Sequence, residues 1–178
     1  MAIYDSINKS WVISIGINGI TTLYLSELLN YPEVLKYNVD NSPTDQYLFN
    51  LNELINNVYE PICQYYNNKI PVFPSYISEN LNQYLMVDTS SQHFLGEAID
   101  IDISVLKRDK SNSDLFYYIK SNINFDKLIW EFGDNINPKF VHVSYNINGN
   151  SGEILKINQI GQNYIQFELK PTFYQGFI

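Results

Sequence analysis

The chain has only two histidines, and each lies in a sequence context that suits a metal site. His93 and Asp100 are separated by six residues that include a glycine and an alanine, and these small residues permit a sharp turn and close packing. His142 lies in residues 140–144, where apolar and polar side chains alternate as in a strand. If the two valines of that strand face the core, His142 faces a cleft on the other side.

Two imidazoles and one carboxylate form a typical catalytic zinc site, which keeps a fourth position open. Zinc held there lowers the pKa of water towards about 7 and polarises a carbonyl, and a nearby carboxylate must move the proton. Glu131 is the candidate for this proton-transferring carboxylate, because it lies just before a predicted turn that leads back to the strand of His142. The residues alone leave a second interpretation open, in which both histidines are structural or exposed. Asp102 shares the strand face of Asp100 and either orients a histidine or is solvated.

Length and composition limit the class of protein. The chain has 178 residues, of which 45% are hydrophobic, and this suits one domain or a compact core with an extension. A net charge of -8 with only 11 lysines and arginines argues against nucleic-acid partners and anionic membrane surfaces. The single cysteine, Cys63, excludes an internal disulfide and a thiolate zinc cluster. We find no membrane-spanning run, and we expect the short apolar stretch 11–17 to be a strand and not a signal peptide.

Hydrophobic periodicity predicts helices in the first half of the chain and mainly antiparallel strands in the second. The clearest helix covers residues 45–66, with Pro61 predicted to kink or end it. The overall pattern predicts an α+β fold. The other predicted elements are a short hairpin or extension in residues 1–20, helices at 79–86 and 115–121, strands at 70–73, 98–103, 127–132 and 140–145, and a hairpin formed by 154–157 and 164–169.

Three motifs near the candidate ligands occur in a fixed order. Residues 91–101 fit the pattern S-x-H-x-x-G-x-A-x-D-I, residues 125–133 resemble FDxLIxEFG, and residues 140–144 resemble WVHVS. Upstream, residues 25–28, 41–43, 50–62 and 76–82 resemble LSEL, NxP, NL…VLEPLR and GYRSxxLN. Taken together, residues 21–145 resemble the zinc D-Ala-D-Ala carboxypeptidase family of peptidoglycan peptidases, and in particular its phage-associated branch.

This resemblance implies a fold and a set of site residues. The fold would have N-terminal helices packed on a small antiparallel sheet that carries a zinc site, as in D-Ala-D-Ala carboxypeptidase and hedgehog-like domains. Residues 1–20 would be an N-terminal extension, 21–145 the family domain and 146–178 a C-terminal β extension. The implied site consists of the zinc ligands His93, Asp100 and His142, the general base Glu131, and the substrate-binding residues Ser91 and Tyr76.

The function implied is hydrolysis of stem or crosslink peptides in bacterial peptidoglycan by a zinc metallopeptidase of the D,D-carboxypeptidase or endopeptidase type. Asparagine and isoleucine each occur 23 times, a bias typical of an AT-rich genome. This bias fits a phage-encoded lysis or virion-associated enzyme, located in the virion or in the host cytoplasm before its release to the cell wall. The C-terminal extension either caps the core or contacts other virion proteins.

Two departures from the family pattern support an alternative function. Ile77 and Cys63 stand where the family pattern has arginines, and isoleucine cannot make the charge-assisted hydrogen bonds of an arginine. The alternative is therefore a non-catalytic virion structural or cell-wall-binding protein built on the same fold.

Overall fold

Two β-sheets and six α-helices form the part of the chain that the computed structural model describes, which is residues 1–16, 19–106 and 110–158 and the backbone of 159–160 and 163–168. The fold is α+β, as the sequence predicts. The helices are α1 (Leu25–Leu29), α2 (Pro32–Tyr37), α3 (Asp45–Leu54), α4 (Glu60–Tyr66), α5 (Glu79–Leu85) and α6 (Asn112–Asn122). The strands are β1 (Ile3–Asp5), β2 (Ser10–Ile15), β3 (Gly19–Tyr24), β4 (Ala98–Ile101), β5 (Lys127–Glu131), β6 (Phe140–Ser144), β7 (Glu153–Ile160) and β8 (Asn163–Glu168).

The predicted long helix is continuous from α3 to α4 and contains one π-helical turn, Ile55–Tyr59. Pro61 follows this turn and does not end the helix. Proline lacks an N–H and its ring clashes with the carbonyl four residues earlier, so the helix must adjust just before it. The wider π turn provides that adjustment. Asn67 then ends the helix in the left-handed conformation.

The N-terminal strands form an antiparallel sheet in the order β1-β2-β3. Trp11 and Ile13 on β2 are fully buried, and β2 contacts α4. The sheet therefore contributes to the same hydrophobic core as the long helix. Strand β3 runs across residue 20, where the sequence predicts the end of an N-terminal extension.

The second sheet has five strands in the order β4-β6-β5-β7-β8. Its two faces differ, because side chains alternate along each strand. Val141, Val143 and Trp130 are buried on the helix-covered face, and the ring of Trp130 lies 5.3 Å from that of Phe116 on α6. His142 points to the opposite face, as the alternation predicts.

The resemblance implies that the sheet that carries the site is antiparallel, whereas this sheet is mixed, because β7 runs parallel to β5. Strand β6 ends beside the start of β5. Both edges of β6 are paired, one with β5 and the other with β4. Residues 145–152 lead the chain past the start of β5, where Gly152 N–H donates to the Phe125 carbonyl. The predicted C-terminal hairpin therefore adds to the free edge of β5, as the antiparallel pair β7 and β8.

Within the described residues, no helix is long and apolar enough to cross a membrane. The C-terminal extension 146–178 is predicted to cap the core or contact other virion proteins, and its aromatic-rich end, residues 173–178, lies outside the described part of the chain.

Candidate metal centre

Three elements place the predicted ligands side by side. His93 lies in a short 3-10 turn, Gln92–Leu95, that precedes β4. Asp100 on β4 is directly opposite His142 on β6, and cross-strand partners project from the same face of a sheet. The turn, β4 and β6 therefore bring together residues that are 49 positions apart at most.

The three side chains form a compact triad. His142 Nδ1 lies 2.9 Å from one carboxylate oxygen of Asp100, and His93 Nε2 lies 3.5 Å from the other. One potential ligand atom from each residue lies within 4.8 Å of those of the other two. The two imidazole rings are 5.0 Å apart and nearly perpendicular. The triad is thus close enough to bind one metal ion, and its two nitrogens and one oxygen suit zinc chemically.

A backbone carbonyl fixes the orientation of His93. His93 Nδ1 lies 2.6 Å from the Ser75 carbonyl oxygen, and since a carbonyl only accepts, Nδ1 must carry the proton. Nε2 is therefore the nitrogen that faces Asp100, where it donates to the carboxylate when protonated and offers a lone pair to a metal ion when deprotonated. The Ser75 N–H in turn donates to the Leu28 carbonyl at the end of α1. This is the hydrogen-bonding arrangement that orients metal-binding histidines in general.

Charge and burial prepare the triad for a cation. Burial opposes ionisation of Asp100, but the charge of His93 and hydrogen bonds from both imidazoles hold the pKa of Asp100 well below its usual range. Burial lowers the pKa of His142. A deprotonated carboxylate and a neutral imidazole are the forms that bind metal, so Asp100 and His142 are in the required form. Burial opposes protonation of His93, but the charge of Asp100 raises the pKa of His93, and a metal ion that binds there displaces a proton.

Gly96 allows the turn that carries His93 to join β4. Its φ is +69°, and a Cβ added there would lie 2.6 Å from the Tyr47 carbonyl oxygen on α3. Only glycine combines this left-handed conformation with so close an approach. The predicted role of Gly96 as a sharp turn is confirmed.

We expect Gly96→Ala to lower the free energy of unfolding by at least about 2 kcal/mol, because it combines left-handed strain with a backbone clash. Gly152→Ala is the matched control, since Gly152 has a φ of +67° and open space around its Cβ position. Urea unfolding of both variants measures the difference. Equal losses would show that the contact with α3 contributes nothing.

Glu131 lies on the same face as the triad. Ile129 is opposite His142 in the register of β5 and β6, and Glu131 follows two residues later, opposite Phe140. The Lys139 N–H donates to the Glu131 carbonyl, and this hydrogen bond closes the loop between the strands. The pKa of Glu131 is raised to about 7, mainly by burial. The negative charge of Asp100 raises this pKa further, and the positive charge of His93 lowers it.

This raised pKa makes a prediction for the metal-free protein. The pKa of Glu131 is about 7 in the folded protein and 4.5 in its ordinary state. Below pH 4.5 Glu131 is protonated in both the folded and the unfolded protein and does not affect stability. As pH rises from 4.5 through 7, the unfolded state ionises first, so the free energy of unfolding falls. We expect Glu131→Gln to gain up to about 3 kcal/mol of stability over wild type between pH 5 and pH 8. Urea unfolding with a chelator present, at both pH values, measures this gain. A difference between the proteins that does not change with pH would contradict it.

The candidate site opens into a cleft of about 880 Å³. Ser91 lines this cleft, as predicted, together with the triad and Glu131. Tyr76 does not line it. Its side chain is 2% exposed, packs against the ring of Tyr47, and borders a separate pocket of about 690 Å³. The next residue, Ile77, reaches the cleft instead.

The cleft also contains residues that were not predicted as site residues from the sequence. At one end, the ring of Phe140 contacts those of Phe73 and Phe132 at 5.7 Å each. Lys127 borders the cleft along β5. Lys127 could have been predicted to face the cleft, because side chains alternate along β5 and Glu131 lies on the same face. Phe73 and the Ser75 carbonyl belong to an extended segment whose sequence shows no such alternation.

Asp102 does not orient a histidine. Its carboxylate accepts hydrogen bonds from the Ser104 N–H and from the side chain of Asn112. Asn112 is buried and also donates to the Lys139 carbonyl, so this cluster joins the end of β4 to the start of β6.

Scans of this chain against protein-family models, curated proteins and solved structures found no match.

Proposed function

We propose that the chain is a zinc metallopeptidase that hydrolyses peptide bonds of bacterial peptidoglycan. The observation that carries this proposal is the position of Glu131, which shares one sheet face and one cleft with the triad His93, Asp100 and His142. A structural histidine pair has no need of a buried carboxylate with a raised pKa beside it, whereas a hydrolase does.

Each residue then has a distinct part in the reaction. A zinc ion held by the triad would polarise the substrate carbonyl and acidify water. Glu131 would accept a proton from that water at its carboxylate and deliver it to the leaving amine. Burial raises its pKa to about 7 without metal, and a bound cation would lower that pKa and so favour the carboxylate form that accepts a proton. The Ser75 carbonyl keeps the proton of His93 on Nδ1 and so keeps Nε2 available.

The cleft fits a peptide substrate. It has a volume of about 880 Å³ and is lined by apolar side chains such as Phe140 and Ile129, by the triad, and by Ser91 as a hydrogen-bonding group. The sequence motifs favour peptidoglycan stem or crosslink peptides as the substrate. They also favour a phage-encoded lysis or virion-associated enzyme, and contacts with other virion proteins through residues 146–178 form part of the proposal.

One observation favours the non-catalytic alternative. Ile77 is 4% exposed and lies in the cleft wall, at the position where the motif has an arginine to hold the substrate. The alternative function is recognition of the cell wall, or assembly into a virion, with the metal serving stability.

Digestion of purified peptidoglycan distinguishes the two functions. The protein is incubated with zinc, and soluble products are identified by mass. Release of peptide or amino-acid fragments by wild type, and not by His142→Ala, supports the peptidase. Stoichiometric zinc binding and cosedimentation with the cell wall, without any released fragment, would favour the alternative.

A further inference from the structure

A second pocket adjoins the cleft at Ile77, and we call it the Tyr76 pocket. Ile77 lines both cavities, and its N–H donates to the His93 carbonyl. Phe94, the residue after His93, lines the Tyr76 pocket and not the cleft. The pocket has a volume of about 690 Å³, which lies within the range that small-molecule ligands occupy.

The hydroxyl of Tyr76 points to a ligand. Tyr76 is 2% exposed and lines the pocket, with its ring 6.0 Å from that of Tyr47. No described residue hydrogen-bonds to the hydroxyl oxygen, and this oxygen is not sealed from water. A buried tyrosine usually places its O–H group against a protein partner. The hydroxyl of Tyr76 therefore has the pocket as its open side and is available to a bound molecule.

Asn41 holds the Tyr76 wall of the pocket in place. Its buried side-chain amide donates to the Leu29 and Tyr76 carbonyls, and its oxygen accepts from the Ser78 N–H. Both N–H groups and the oxygen of this amide are thus used inside the protein. Because the wall is fixed before a ligand arrives, binding costs little ordering of the chain.

The polar groups that remain free in the lining are neutral. The side chains of Asn80, Gln83 and Thr89 line the pocket and make no hydrogen bond to a described residue. The described lining contains no lysine, arginine or histidine, and its single carboxylate is exposed to solvent. Such a surface offers both donors and acceptors without a strong charge. It does not favour an anion such as a phosphate or a carboxylate.

Three aromatic rings supply apolar surface beside these polar groups, those of Tyr47, Tyr76 and Phe94. Aromatic side chains bind apolar surface with their rings, and tyrosine adds a polar tip. A pyranose sugar matches this surface, because it has C–H groups on its faces and hydroxyls around its rim. An acetamido group presents one N–H and one carbonyl, and these complement a side-chain amide.

We propose that the Tyr76 pocket binds a neutral N-acetylated sugar. The Tyr76 hydroxyl and the amides of Asn80 and Gln83 serve as its hydrogen-bonding groups, and the ring of Tyr47 serves as its apolar surface. This inference goes beyond the proposed function, since the pocket contains no residue of the candidate metal centre. Where both proposals hold, a glycan bound in the pocket and a peptide bound in the cleft lie on the two sides of Ile77.

The test is a titration of the isotope-labelled protein with tri-N-acetylchitotriose, followed by nuclear magnetic resonance, with zinc and again with a chelator. We expect saturable shifts of the Ser78, Thr89 and Phe94 amide signals, and no shifts for Lys139 and Phe140, which line the cleft. The affinity should be the same with and without zinc. Cellotriose, which has hydroxyls in place of the acetamido groups, should bind about fivefold more weakly, the effect of losing one neutral hydrogen bond.

Single substitutions assign the binding groups. Tyr76→Phe keeps the buried ring and removes only the hydroxyl, so the affinity for the acetylated trisaccharide should fall about fivefold. Asn80→Ala should have a similar effect. Tyr84→Phe is the matched control, because Tyr84 also belongs to this region but stacks on Tyr37 and does not line the pocket. Its affinity for the sugar should equal that of wild type.

The failure of this inference is distinguishable from that of the proposed function. The sugar site is overturned if no saturable binding occurs, if the shifts centre on Lys139 and Phe140, or if Tyr76→Phe binds as tightly as Tyr84→Phe. Equal affinity for cellotriose overturns the preference for an acetylated sugar. None of these results bears on release of fragments from peptidoglycan. Conversely, sugar binding that depends on Tyr76 stands even when wild type releases no fragment.

Discussion

We expect Glu131→Gln to lower kcat for peptide hydrolysis by about 1,000-fold, within the range that general acid–base catalysis contributes. Glutamine has the size and shape of glutamate but cannot accept a proton at its side chain. Because Glu131 is not one of the triad residues, zinc affinity should stay within about threefold of wild type. Steady-state kinetics together with zinc titration measure both quantities.

The control for this substitution is Glu79→Gln, which changes an exposed carboxylate at the start of α5, outside the cleft. Its kcat should equal that of wild type. The pH dependence provides a second check, because a bound cation adds positive charge and lowers the pKa of Glu131 from about 7. The rate should therefore fall on the acidic side at a pH below 7 in wild type, and this limb should be absent in Glu131→Gln. Full activity of Glu131→Gln would remove Glu131 from the mechanism.

We expect loss of a single triad residue to lower zinc affinity by at least about 100-fold. Loss of a residue that only hydrogen-bonds to a metal ligand lowers metal affinity by up to about 100-fold, and loss of a ligand itself should cost at least as much. His142→Ala removes one nitrogen ligand. Asp100→Asn keeps the volume of the side chain but removes the charge that both imidazoles contact. Competition with a chromogenic chelator measures the dissociation constant, and mass spectrometry under native conditions gives the stoichiometry, which should be one ion per chain.

The matched control is Asp102→Asn, because Asp102 lies two residues beyond Asp100 yet contacts Ser104 and Asn112 and no histidine. The zinc affinity of the Asp102→Asn variant should equal that of wild type. Zinc should also raise the melting temperature of both proteins, since a ligand that binds only the folded state stabilises that state. Retention of tight zinc binding by both His142→Ala and Asp100→Asn would place the metal elsewhere.

Local patterns predicted the parts of this site that depend on alternation within one strand. The valines on both sides of His142 are buried, so a period of two is enough to direct the histidine to the opposite face. The same rule places Ile129 and Glu131 together on β5. Gly96 is recognisable because a turn between a ligand and a strand needs a residue with a left-handed backbone.

The extended segment 75–77 shows where local patterns are insufficient. The family resemblance predicts that Tyr76 lines the cleft, whereas Tyr76 packs against Tyr47 and Ile77 lines the cleft. Neighbouring residues of an extended chain point in opposite directions, so a shift of one residue exchanges them. The sequence of this segment shows no alternation of apolar and polar residues. The Ser75 and Tyr76 N–H groups both donate to the Leu28 carbonyl, and these hydrogen bonds fix which of the two side chains, Tyr76 or Ile77, lines the cleft.

The sequence by itself predicted the α+β class and the strand face of His142, because both depend on a recurring hydrophobic period. Its motifs, through the family resemblance, named His93, Asp100 and His142 as candidate ligands and Glu131 as the candidate base. Tertiary structure alone decided the parallel pairing of β7 with β5, the Ser75 carbonyl that orients His93, and the cleft that Lys127 and Ile77 border. These features depend on which edges and backbone groups remain free once the other elements have packed, and no local pattern of side chains encodes that choice.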